Sequence, residues 1–220
     1  MSDRLSRLAP LTGVIFAVLV VVAIVTGGET PGANASPVKV IAYYGSHRSE
    51  VETSGILFAL AFLFVVLFAG ALRSYLRRTA AAEGLAAIVL AGGVLMAVGV
   101  FMAVSAEYGL AHNLHDLTPA TAQTLSVLSN ELFLPVLGGA FLFAIASGLA
   151  ILRGARLPRW LGWVAIVLAI AVLVPPASFP ALLVFAIWSV IVSILIYRRT
   201  GPAASAPTAD TPATLGAATP

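Results

Sequence analysis

The chain contains no cysteine, which excludes disulfide bonds, thiolate metal sites and cysteine nucleophiles. Charge is almost as scarce: Asp, Glu, Lys and Arg together make up 10% of 220 residues, and there are three histidines. A water-soluble domain of this size could not present so uncharged a surface without aggregating. Catalytic signatures are missing too, with no G-x-S-x-G, no Gly-rich phosphate loop, no H-E-x-x-H and no paired Asp motif within an apolar run. The expectation is therefore a protein that is not an enzyme and carries no cofactor. The pI near 9.7 points toward nucleic acid, but the net charge is only +3. The cations stand in small groups beside apolar runs, where they act as topology signals and not as a nucleic-acid patch.

What the chain has in abundance is apolar surface. Sixty percent of the residues are hydrophobic and the mean hydropathy is +1.03, so the fold class expected is all-α, a polytopic transmembrane helical bundle. Six spans are predicted, at about residues 11–27, 54–72, 84–106, 128–152, 160–174 and 181–197, each close to the length a hydrocarbon core requires. They leave no stretch able to bury a second core, so residues 1–199 form one membrane domain. Residues 200–220 are rich in Ala, Pro and Thr and are expected to be a disordered tail, because they cannot bury enough surface to offset their ordering entropy. A cleaved signal peptide is the competing reading of the first run, since Ala33-Asn34-Ala35 has the small-x-small form of a cleavage site.

The connectors carry local signals. Ser36 before Pro37 predicts the cap and first turn of a short surface helix over 37–44, with Tyr43 and Tyr44 at headgroup level. Ser49 and Glu52 have capping-box spacing ahead of the second span, and Thr118-Pro119 predicts a helix start that can run unbroken into the fourth. The run 175–180, PPASFP, predicts a tight hairpin end. Gly93-x-x-x-Ala97 and Gly99-x-x-x-Ala103 place small residues on common helix faces for close packing.

Assigning the connectors alternately to two sides gathers Arg4, Arg7, Arg73, Arg77, Arg78, Arg153, Arg156, Arg159, Arg198 and Arg199 on one side, with only Lys39 and Arg48 on the other. The positive-inside bias then places both termini in the cytoplasm. Most acids, among them Glu29, Glu50, Glu52, Glu107, Asp116 and Glu131, fall at the opposite, outer face.

Polar chemistry concentrates over residues 107–135. On a continuing helix Leu110, Leu114 and Leu117 form an apolar stripe, with Tyr108, His112, His115 and Asp116 opposite it. His112, His115 and Asp116 have a spacing compatible with metal ligands, completed by Glu131 or Glu107; a plain wet helix end reads the same way. Glu107 projects from the flank of the leucine stripe toward the bundle, and Asn130 and Glu131 stand at the outer end of the fourth span. Pro135 lacks the N–H that would bond the Glu131 carbonyl. A carboxylate near lipid is costly unless paired, so Arg48 is the expected partner of Glu131 or Glu107. Arg48, Glu107, Asn130 and Glu131 are thus the candidate binding residues, either a structural polar cluster or a pocket.

Three segments, Pro10-Leu11-Thr12-Gly13, Ala42-Tyr43-Tyr44 followed by His47-Arg48, and the run from Leu157 through Pro158, Arg159, Trp160, Leu161 and Gly162 to Trp163, together resemble a loose group of bacterial integral membrane proteins with about six spans. The resemblance implies six spans and a bacterial plasma (inner) membrane, and it assigns no activity, substrate or site residue. The role expected is non-enzymatic: structural, sensing or partner-binding, with the lipid bilayer as the partner and a protein partner or homo-oligomer as further options. The alternative is a small transporter or ion-binding protein using Glu107, Asn130 and Glu131. A reporter fused after Arg199 should report cytoplasm and one inserted near Gly32 exterior; an exterior signal from the C-terminal fusion would end the six-span reading.

Overall fold

The computed structural model describes residues 8–32 and 34–200. Arg4, Arg7, Ala33 of the cleavage-like triplet and the tail from 201 to 220 lie outside the described residues. All regular structure among the described residues is helical. After one 3₁₀ turn at Ala9–Leu11 come α1 (Thr12–Gly27), α2 (Pro37–Ser46), α3 (Arg48–Leu76), α4 (Glu83–His112), α5 (Pro119–Glu131), α6 (Leu134–Leu152), α7 (Arg159–Val172) and α8 (Pro175–Thr200).

Among the described residues, five helical stretches are long and apolar enough to cross a membrane: Ala9–Gly27, Arg48–Leu76, Ala80–His112, Pro119–Leu152 and Pro175–Arg199. The expected fifth span is α7, which at 14 residues falls short of the roughly 20 that a straight crossing takes. Several predicted boundaries also move. The helix of the second span begins at Arg48, so Ser49 lies inside it and His47 occupies the N-cap. The capping box does not form, because Glu52 turns to Arg48 one helical turn back. The fourth span does not run unbroken: α5 stops at Glu131 and α6 restarts at Leu134, with Pro135 in its first turn. The missing proline N–H explains the break, since the Glu131 carbonyl has no donor four residues on. Residues 175–180 are not a hairpin end but the opening turns of α8, which continues through Pro180. Pro175 and Pro176 fit there because the first helical residues need no intrahelical donor, and the chain reverses earlier, at Leu173 and Val174, whose amides bond Ile170 and Ala171.

Two caps appear as the sequence indicates. The Ser36 side chain accepts from the Lys39 amide at 3.4 Å, and that of Thr118 from the Thr121 amide at 3.3 Å.

Helix α4 is the axis of the bundle, and glycine is what lets its neighbours in. A Cβ on Gly139 of α6 would lie 2.5 Å from the Met96 amide nitrogen and 2.7 Å from the Gly92 carbonyl oxygen, and one on Gly92 would meet the Phe143 backbone at 2.6 Å. Gly99 meets the Val136 amide in the same way, while Gly93 faces Ala69 of α3. The small-residue packing on α4 is therefore real, but its closest contact uses Gly92 beside the predicted pairs. Gly148 against Gly162 repeats the device between α6 and α7. Without a hydrophobic force between helices in lipid, such backbone-to-backbone approach is a principal source of association.

Elsewhere the bundle is filled by rings. Phe143 stands edge-on to Phe185 and Trp188, with centroids at 5.3 and 6.3 Å, and Phe16 lies edge-on to Phe62 at 5.4 Å and Phe185 at 6.3 Å. Hydrogen bonds tie the remaining seams: Ser54 to the Ala23 carbonyl at 2.8 Å, Trp188 to the Leu161 carbonyl at 3.1 Å and Tyr75 to the Arg156 carbonyl at 2.8 Å. A second, separate apolar cluster of Val40, Tyr44, Val51, Leu110, Ala111 and Ala122 forms a cap of α2, α5 and the adjoining ends of α3 and α4.

Gly139→Ala should destabilise the protein by about 1–3 kcal/mol, because its methyl has nowhere to go. Gly138→Ala is the control, since its Cβ meets only the Leu95 side chain at 3.9 Å. Thermal unfolding in detergent measures both, and equal melting temperatures would show that the seam is not close-packed.

Candidate functional site

The cap is fastened to the bundle at named points. Tyr43 of α2 donates its hydroxyl to the Gly27 carbonyl at the end of α1 (3.0 Å), and Gln123 of α5 donates to the Ala35 carbonyl (3.3 Å). Tyr44 is wholly buried in the cap core, edge-on to Tyr43 at 5.3 Å. Both phenols are held above the ordinary tyrosine pKa, by burial first and then by the negative charge of Glu107. They therefore stay neutral through the physiological range, and Tyr43 remains a donor to the Gly27 carbonyl.

Beneath the cap, between α1, α3, α4, the α5–α6 break and the start of α8, lies a cavity of about 350 Å³. Phe16, Phe62, Met96 and Phe185 belong to its apolar lining and also to the main bundle core, so they close it toward the middle of the bundle. Val100, Val104, Phe133, Phe179 and Leu182 add to its walls. Its polar lining consists of Thr30, Glu107, Ser129 and Asn130. Among the described residues, no Lys, Arg or His lines it.

The break at Leu132 and Phe133 shapes this end. Ser129 and Asn130 fold back to donate to one acceptor, the Ser126 carbonyl, at 2.9 and 2.8 Å. Both bonds fall on a carbonyl about one turn back within α5; they use the Ser129 hydroxyl hydrogen and one of the two Asn130 amide N–H groups.

The predicted residues separate into three places. Glu107 and Asn130 share the cavity. Glu131 is exposed and is not among the residues that line it. Arg48 pairs with neither acid: its Nε bonds Glu52 at 2.9 Å and its Nη2 lies 2.7 Å from Nδ1 of His112, which is itself 3.7 Å from Glu52. Arg48 sits one helical turn ahead of Glu52 and faces the end of α4, so a solvated local pair satisfies it without reaching inward. His115 and Asp116 lie on the 3₁₀ turn Leu114–Asp116, exposed. The helix that would have aligned His112 with them ends at His112, and among the described residues no three His, Cys, Asp or Glu side chains converge as metal ligands. The leucine stripe does form, with Leu110 buried and Leu114 and Leu117 packed on the cap core.

Sequence reasoning missed Thr30, Ser129 and the apolar walls. One available signal was the i, i+4, i+8 series Phe16, Val20 and Ile24 on α1, which all face the cavity; another was the pair of serines one turn ahead of the break. In comparisons with protein-family models, with curated proteins and with solved structures, nothing matches the chain.

Proposed function

We propose that this is a non-enzymatic integral membrane protein of the bacterial plasma membrane that binds a small amphiphilic molecule in the cavity under its cap, as a sensor or carrier of that molecule. The observation that carries the reading is the cavity itself: about 350 Å³, mostly apolar and edged by a few polar groups including a carboxylate. Pockets of that size and lining are where small molecules bind. The bilayer is the medium from which an amphiphile would enter, and nothing in the fold calls for nucleic acid.

The topology proposed is six crossings, with the cap outside and both termini in the cytoplasm. Support comes from the two ends of α7. The connector before it is held to the arginine end by Tyr75 at the end of α3, through the Arg156 carbonyl. The helix after it places Phe179 and Leu182 in the cavity beside Glu107. So α7 passes from one end of the bundle to the other despite its length. A short span of this kind is accommodated by local thinning of the bilayer or by the flanking arginines reaching to the interface.

Transport is a second reading with its own observation. The cavity is bordered by two proline-marked irregularities, the break before Pro135 and the start of α8 around Pro180, and interrupted helices beside a site are the hallmark of carriers. Against it, the aromatic cluster of Phe16, Phe62, Phe143, Phe185 and Trp188 closes the way onward. Binding without passage is therefore the leading reading.

The full-length protein in phosphatidylcholine nanodiscs should bind decanol saturably and gain thermal stability, and Ala103→Phe, which fills the cavity from α4, should lose that response. Equal responses from both proteins would place decanol in the lipid and reject the pocket.

A further inference from the structure

The binding reading leaves open what head group the cavity accepts, and the distribution of hydrogen-bond donors and acceptors at its polar end decides it. Ser129 has spent its hydroxyl hydrogen, and Asn130 one of its two amide N–H groups, on the Ser126 carbonyl. Acceptors predominate in what these two lining side chains have left: the Asn130 amide oxygen and the lone pairs of Ser129, against one remaining Asn130 N–H. Glu107 adds a carboxylate. The C-terminus of α5, a helix of 13 residues, ends here as well, and its dipole favours positive charge within the last turn. Among the described lining side chains, the donors left are the Thr30 hydroxyl and that one Asn130 N–H.

Charge points the same way. An ionised carboxylate against apolar walls needs a counter-charge, and the described chain supplies none to Glu107: the cation expected to pair with it, Arg48, is held by Glu52 and His112. An anionic head would meet a carboxylate and a helix C-terminus with no cation in the lining. A bare metal ion would find a mostly apolar chamber with one carboxylate, far from the set of six or more oxygens that hard cations require. An ammonium brings three N–H donors and one positive charge to a site that offers acceptors and one negative charge.

We propose that the cavity selects a cationic amphiphile: a protonated amine at Glu107 and the oxygens of Ser129 and Asn130, carried on an apolar body that lies against Phe16, Phe62 and Phe185. The inference rests on the binding reading above, and it adds the sign of the head group. The rings suit either part of such a ligand, since their faces also attract a cation that approaches them.

The test uses three probes of one chain length, decylamine, decanol and decanoate, on the full-length protein in phosphatidylcholine nanodiscs, with Ala103→Phe as the baseline for partition into lipid. Wild type should bind decylamine about tenfold or more tightly than decanol, the usual margin of a hydrogen bond to a charged group over a neutral one, and decanoate weakest. Glu107→Gln should keep decanol binding and lose the preference for the amine. Glu107→Asp, which keeps the charge, should retain the preference and covers the case in which the glutamine variant does not fold. If decanoate binds as well as decylamine, or the amine preference survives in Glu107→Gln, the head-group inference is overturned while the pocket stands. If decanol shows no saturable binding to wild type, the pocket itself falls, and the ligand class with it.

Discussion

The structure depends on how unevenly its helices are allowed to approach. Where α4 meets α6, glycine stands against backbone and no side chain intervenes; a single methyl at Gly139 would collide with the Met96 amide. Where α8 faces α6, phenylalanine and tryptophan rings fill the space between the helices, while against α1 it closes in at Gly13, whose carbonyl accepts from Ser189. A bundle drawn tight at its glycine seams and filled by rings at others cannot fill its volume evenly. The unfilled part lies where the rings give out, above Phe16, Phe62 and Phe185 and below the cap. The cavity is in this sense a product of residue volumes.

The cap turns that space into a site. It has its own apolar cluster and is held to the bundle by a few specific bonds, notably Tyr43 to Gly27. Burial keeps its tyrosines protonated, so the Tyr43 bond persists through the physiological range. The break between α5 and α6 completes the arrangement. Ser129 and Asn130 stand just ahead of it, and their donation to the Ser126 carbonyl leaves acceptors in the majority at the polar end of the cavity.

The all-helical class, five of the long apolar segments and the caps at Ser36 and Thr118 were legible because each rests on local chemistry: apolar runs of sufficient length, and a side-chain oxygen ahead of a proline. The inward direction of Glu107 was legible from its angle to the leucine stripe, and the cavity residue Asn130 from its place beside the break. Arg48 was assigned the wrong partner because pairing was argued from sidedness alone; the side chain's reach to Glu52, one turn away, outcompetes a distant acid. The metal grouping failed because a helix taken as continuous ends at His112. Residues 175–180 were read as a turn because prolines mark turns as often as helix starts, and only the packing of the neighbouring helices distinguishes them. The cavity was not legible at all, since a void is set by residues from five segments far apart in the chain.

The absence of cysteine makes one measurement decisive for the claim that this void is open to small molecules. Ser129 and Ser147 are both buried, at 4% and 0% exposure, but only Ser129 lines the cavity. Each can be replaced by the nearly isosteric cysteine in an otherwise thiol-free chain and exposed to a small maleimide under folded conditions. The account predicts that Ser129→Cys is labelled, and slowed by decanol, while Ser147→Cys stays unreactive until the protein unfolds. Equal protection of the two positions, or equal reaction at both, would contradict it.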